Sequence, residues 1–91
     1  MKSIKSKSIR MLGDNEVIYV SRCLINTEVA KIVSSNNING SNIKLIELMS
    51  EAVEKEYETK RIIPYIKMSV GDVKKNFPNY EKFPRGIFFK Y

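Results

Sequence analysis

Residues 14–26 read Asp14-Asn15-Glu16-Val17-Ile18-Tyr19-Val20-Ser21-Arg22-Cys23-Leu24-Ile25-Asn26, and whether this stretch is extended or helical decides the fold. Local propensity favours a strand, because Val17-Ile18-Tyr19-Val20 is made of β-favouring residues. On that reading Ser3 to Leu12 and Glu16 to Ile25 form a hairpin around Gly13-Asp14-Asn15. Thr27 to Ser35 is then a short helix capped by Asn26. A second reading makes Asp14 to Asn26 a helix that buries Val17, Val20, Ser21, Leu24 and Ile25. It lies between a strand at Ser3 to Met11 and another at Glu28 to Ile38. Propensity is a weak prior that tertiary context overrides, so both readings stand at this level.

Downstream the signals are plainer. A polar cluster at Ser34-Ser35-Asn36-Asn37, followed by Asn39-Gly40-Ser41-Asn42, marks a loop or a strand end. From Ser41 or Asn42, either of which can cap, Leu45, Leu48, Met49, Ala52, Val53 and Tyr57 recur at helical spacing. Glu47, Glu51, Glu54, Lys55 and Glu58 lie largely opposite. The pattern predicts an amphipathic helix ending near Lys60, where Lys60 and Arg61 suit the negative end of the helix dipole. Ile62 to Met68 reads as a strand in which Pro64 must sit at an edge, a start or a bulge. Gly71-Asp72 reads as a turn, and Asn76 to Arg85, with Pro78 and Pro84, as a long loop. Ile87 to Tyr91 is a terminal strand. The last two strands are expected to form a long-armed hairpin.

Ninety-one residues with 43% apolar content suit one α+β domain covering residues 1–91. So small a core gives marginal stability, and oligomerisation, most simply a homodimer, is the expected supplement. Cys23 is the only cysteine, so no disulfide can close within the chain, and a reducing, intracellular setting is expected. The longest apolar run, Val17 to Val20, is far short of the roughly 20 residues of a membrane span. The basic N-terminus alternates with Ser and leads into no apolar stretch, which argues against a secretory signal.

Sixteen Lys and Arg against ten Asp and Glu give +6, and the distribution is more informative than the sum. Residues 1–26 carry five basic and two acidic side chains (+3), residues 27–61 five and six (−1), and residues 62–91 six and two (+4). Basic ends around a neutral middle suit a protein that turns one cationic surface to a polyanion.

Familiar catalytic machinery is missing. With no histidine, His-based acid–base catalysis and nucleophile–His triads are excluded, and one cysteine leaves no Cys/His zinc cluster. Gly13, Gly40, Gly71 and Gly86 are too far apart to build a phosphate-cradling loop. Asp14 and Glu16 are adjacent carboxylates of the kind that turns ordinarily contain. No enzyme activity, metal or cofactor is expected. Eight of the nine aromatic residues fall between Tyr57 and Tyr91. Interleaved with lysines, they are candidates for stacking on bases, but the preferred reading is that Phe77, Phe88 and Phe89 fill the core or a dimer interface, with the tyrosines at its edge.

Under the second reading the element order is β-α-β-α-β-β, and the stretch from Gly40 to Gly71 then resembles the Alba family of small dimeric nucleic-acid-binding proteins. Gly40 precedes a helix whose third residue is Ile43. Glu51 lies mid-helix, Val53 follows, and Tyr57 closes it. The strand Ile62 to Met68 then leads into Val70-Gly71, and Gly13 ahead of Val17-Ile18-Tyr19-Val20 is similar to the family's first strand-to-helix turn. There are departures. Asp14-Asn15 stand where the family has a Lys pair, and Ser41 where it has Arg. The resemblance implies a basic hairpin arm that reaches along the minor groove, here carrying Lys67, Lys74, Lys75, Lys82 and Arg85. It also implies a dimer-packing role for Tyr57.

The expected architecture is thus β-α-β-α-β-β with a long C-terminal hairpin, with ββααββ as the alternative. The expected function is binding of DNA or RNA through the phosphate backbone by the arm and the Lys-rich N-terminus, with Lys5, Lys7, Lys67, Lys74, Lys75, Lys82 and Arg85 as contact residues. The alternative is a small phage- or plasmid-type interaction protein. It would dock on a host protein through the acidic helix face or the aromatic-rich C-terminal third.

Overall fold

In the computed structural model, which describes residues 2–35, 38–84 and 86–90, the deciding stretch is extended. Five residues, Val17–Ser21, form strand β2 of a four-stranded antiparallel sheet. Around it the chain runs β1 (Lys2–Ser3), α1 (Ser6–Arg10), β2, a 3-10 turn (Arg22–Ile25), α2 (Thr27–Ser34), α3 (Gly40–Lys60), β3 (Tyr65–Ser69), α4 (Val70–Asn76), a second 3-10 turn (Tyr80–Lys82) and β4 (Phe88–Lys90). The class is α+β. The strands lie in the order β1-β4-β2-β3, so β2 is interior and bonded on both sides.

Alternation explains why β2 is a strand rather than the helix of the second reading. Ile18 and Val20 are fully buried and share one face with Met68, Ile66 and Phe88, their register partners, as a period of two requires. Tyr19 and Ser21 turn to the other face. The strand ends where the Ser21 hydroxyl oxygen accepts the Cys23 N–H at 3.3 Å and starts the 3-10 turn that buries Cys23 and Leu24.

The strand of the second reading over Glu28 to Ile38 is likewise contradicted where it is described, since Thr27–Ser34 is the helix α2. Asn26 caps α2, its Oδ1 accepting the N–H groups of Glu28 (2.9 Å) and Val29 (3.4 Å). Val29 and Val33, one turn apart, are the buried pair. This is the cap and helix of the first reading.

Neither reading of the N-terminus holds. A strand over Ser3 to Met11 or Ser3 to Leu12 would put Ile4 and Ile9, an odd number of positions apart, on opposite faces. Only two residues pair, with β4 and not with β2. Ser6–Arg10 then turns helical and delivers Ile9, with no exposed surface, into the same core against which Ile4 packs.

The expected C-terminal hairpin is also absent, because β2 separates β3 from β4. Gly71-Asp72 lies inside α4 rather than in a turn. The Ser69 hydroxyl caps that helix by accepting the Asp72 N–H at 3.2 Å, and Val70 N–H donates to Glu16 O at 2.8 Å. Pro64 immediately precedes β3, the strand-start position open to it. Gly86, at φ 93°, adopts a conformation that only glycine takes easily and lets the chain enter β4.

The long helix α3 starts earlier than expected, with Asn39 as its cap, Oδ1 accepting the Asn42 N–H at 3.0 Å. It ends at Lys60 as read from sequence. Its contact stripe is narrower than the apolar pattern suggests. Ile46 and Val53 are its buried residues, while Leu48 is 54% and Tyr57 46% exposed. Arg22 fastens the helix to the lead-in of β3. Its Nη2 lies 2.5 Å from the Glu56 carboxylate, its Nε donates to Ile63 O at 3.2 Å, and its N–H to Pro64 O at 2.7 Å. Among the described residues, no helix is long and apolar enough to cross a membrane.

Candidate nucleic-acid interface

The two basic ends of the chain meet at the β1 edge of the sheet. Lys2 stands directly opposite Lys90 in the β1–β4 register. Two like charges in that position repel unless water or an anion screens them. Ile4 N–H then donates to Phe88 O at 3.2 Å, and this bond carries Lys5 and Lys7 into the first turn of α1. Buried Ile9 anchors the helix.

Across from α1 lies the second 3-10 turn, which holds Glu81 and Lys82. A shallow depression of about 390 Å³ separates the two, lined by Lys5, Ser6, Lys7, Glu81 and Phe83. Glu81, the one carboxylate in this lining, is engaged by Arg10, whose Nε donates to its Oε1 at 2.8 Å and whose Nη2 also contacts it. That hydrogen bond, more than the accompanying charge attraction, pushes the Arg10 guanidinium above its ordinary value. With Glu81 so neutralised, Lys2, Lys5, Lys7, Lys82 and Lys90 are left exposed.

Of the seven residues expected to contact nucleic acid, Lys5 and Lys7 line this depression, and Lys82 follows Glu81 in the facing turn. Lys67 is not among them. It lies on β3 opposite Tyr19, two strands away from β4. Lys74 and Lys75 occupy the last turn of α4, where Lys74 Nζ is 3.2 Å from the Asp14 carboxylate. Arg85 lies outside the described residues. No arm carries these side chains, because the segment expected to form it is the helix α4 and a 3-10 turn packed on the core. Lys2 and Lys90 escaped the sequence reading, since nothing local says that residues at opposite ends of a chain are register partners. The strongly positive terminal thirds were the available hint.

Of the two readings of the aromatic residues, filling the core is the one observed. Phe77, Tyr80, Phe83, Phe88 and Phe89 are all buried. Phe83 stacks on Phe88 with centroids 5.7 Å apart and contacts Phe77 at 6.0 Å, so these rings are core. The carboxylates of the 14–16 turn are also engaged: Asp14 faces Lys74, and Glu16 Oε2 accepts the Gly13 N–H at 3.0 Å.

Comparison of the chain with models of known protein families, with curated proteins and with solved structures finds no match in any of the three. The element order implied by the resemblance drawn from the sequence is not the observed one, since residues 14–26 and 28–38 exchange strand for helix.

Proposed function

We propose that the protein binds nucleic acid through the phosphate backbone, using the cationic edge formed by Lys2, Lys5, Lys7, Lys82 and Lys90. The observation that carries this reading is the Lys2–Lys90 pairing. It sets two like charges face to face, and the same edge leads into Lys5 and Lys7 beside a carboxylate already held by Arg10. An edge strand bearing lysines also resists edge-to-edge aggregation. That role accounts for Lys2 and Lys90 but not for Lys5 and Lys7 beside the paired Glu81.

Binding of this kind works by releasing condensed counterions, and it follows charge rather than base sequence. The acidic side of α3 borders Gly86–Ile87 and residues 63–65, and none of its glutamates lines the depression that holds Lys5 and Lys7. A homodimer, which sedimentation velocity would reveal, would present two such edges to one duplex.

The test is fluorescence anisotropy with mixed-sequence duplex DNA, duplex RNA and single strands over a range of salt. The reading expects affinity that falls steeply with salt and differs little between sequences. Affinity indifferent to salt, or absent at about 50 mM salt where phosphate contacts are strongest, would overturn it.

A further inference from the structure

On α3, Glu47, Glu51, Glu54 and Glu58 follow spacings of four, three and four residues. At about 100° per residue this confines them to a sector of roughly 60°, and they extend over about 16 Å of helix. The stripe borders two depressions that share Glu54. The smaller is lined by Glu47, Ser50, Glu51, Glu54, Gly86 and Ile87. The larger, about 480 Å³, is walled by Tyr57, Ile63, Pro64 and Tyr65 and rimmed by Glu54 and Glu58.

The larger groove joins two properties seldom left open on a surface. Its walls are apolar or aromatic, with Ile63 67% exposed. Its rim carries two carboxylates that, among the described residues, form no ion pair, although Glu54 accepts a hydrogen bond from the Tyr65 phenol. The neighbouring Glu56 is engaged by Arg22. Planar, weakly hydrated guanidinium suits both features at once, since it lies flat on aromatic rings and pairs with carboxylates through two parallel hydrogen bonds. The chain itself supplies a precedent: Arg61 holds its guanidinium carbon 5.9 Å from the centre of the Tyr57 ring.

We propose that this groove docks an arginine-bearing, partly apolar segment of another protein. The guanidinium groups pair with Glu54 and Glu58, and the apolar residues rest on Ile63 and Pro64. A second copy of the chain is a poorer occupant. Among the described residues its exposed cationic edge is made of lysines, while Arg10 and Arg22 are held in ion pairs and Arg61 is already on Tyr57. The proposal is independent of nucleic-acid binding and is tested without nucleic acid present.

The probe is the peptide acetyl-Leu-Arg-Leu-Arg-Leu-amide, titrated into 15N-labelled full-length protein, with a control peptide carrying citrulline at both arginine positions. The expected result is saturable binding with chemical-shift changes centred on residues 54–65, lost with the citrulline peptide. The double variant Glu54→Gln/Glu58→Gln, isosteric at two exposed sites, should weaken binding about tenfold or more. Arg61→Gly, which vacates the Tyr57 ring, should tighten it about twofold. No saturation by about 1 mM peptide, shifts centred elsewhere, or equal affinity in the double variant would overturn the proposal. So would concentration-dependent self-association that the double variant abolishes, since the occupant would then be a second copy.

Discussion

Tyr65 and Phe89 meet edge-to-face, with ring centroids 4.6 Å apart and planes at 65°, although neither strand bonds to the other. Tyr65 belongs to β3 and Phe89 to β4, and β2 runs between them. Strands two apart in a sheet are separated by about 9.5 Å, so the rings reach across the intervening strand. The residue opposite Tyr65 is Ser21, small enough to be passed over. Ser21 is buried, and its hydroxyl is within reach of the Ser50 hydroxyl on α3 at 3.4 Å.

A double-mutant cycle on Tyr65→Ala and Phe89→Ala should return a coupling of about 0.5–1.5 kcal/mol, the range for paired aromatic rings. Ser21→Val, which puts two methyl groups beneath that contact, should destabilise by about 1–3 kcal/mol. Urea denaturation measures both. Additive single-variant effects would show that the rings are neighbours without interacting.

Arg61 ends α3 in the left-handed region at φ 58°, where its N–H still donates to Tyr57 O at 3.0 Å. That backbone costs an L-residue about 1 kcal/mol or more, and glycine is the usual occupant. Arg61→Gly removes the cost and loses a cation–π contact of about 0.5 kcal/mol. The net expectation is a gain of about 0.5 kcal/mol, whereas β-branched Arg61→Val should lose about 1–2 kcal/mol. Thermal melts of the two variants should therefore move in opposite directions.

Stability should fall in alkali. Burial pushes the Cys23 thiol above its ordinary value of 9.0, with the Ser21 hydroxyl opposing part of the rise. Burial, then the Glu54 charge and a hydrogen bond to Glu54, pushes the Tyr65 phenol above 10.0. Above pH 9 the unfolded chain releases protons that the folded chain retains, so the fold loses stability as pH rises through this range and keeps it in full below. Urea midpoints from pH 7 to about pH 11 should decline more steeply for the native chain than for Cys23→Ala/Tyr65→Phe. Parallel curves would assign the loss to other groups. At neutral pH the buried thiol should react with a disulfide reagent only as fast as the chain opens.

Under the proposed function, the five edge lysines should set the size of the salt effect. With each lysine on one phosphate, the log–log slope of affinity against salt on B-DNA should be about −4 to −5. Lys5→Gln/Lys7→Gln/Lys82→Gln should flatten it by about 2.7, while Lys67→Gln/Lys75→Gln, away from that edge, should leave it unchanged. Anisotropy titrations at four or five salt concentrations separate the two sets. Equal flattening by both would mean diffuse attraction to net charge rather than a defined edge.

What the sequence determined by itself is local. The C-terminal end of α3 at Lys60 and a strand after it follow from side chains acting on their own backbone within a few residues, and so do the Asn26 cap and the β-favouring run in β2, which the preferred β-α-β-α-β-β order had set aside. The mixture of these elements is enough for the α+β class. Tertiary structure alone decided the strand order, because the pairings of β4 with β1 and of β4 with β2 join segments that no short-range pattern relates. The same non-local register brings Lys2 to Lys90 and Tyr65 to Phe89. It also docks α4 where a hairpin arm was expected, since the Val70–Glu16 and Gly71–Asp14 bonds exist only once β2 and β3 are side by side, whereas the Ser69 cap that starts the helix is local.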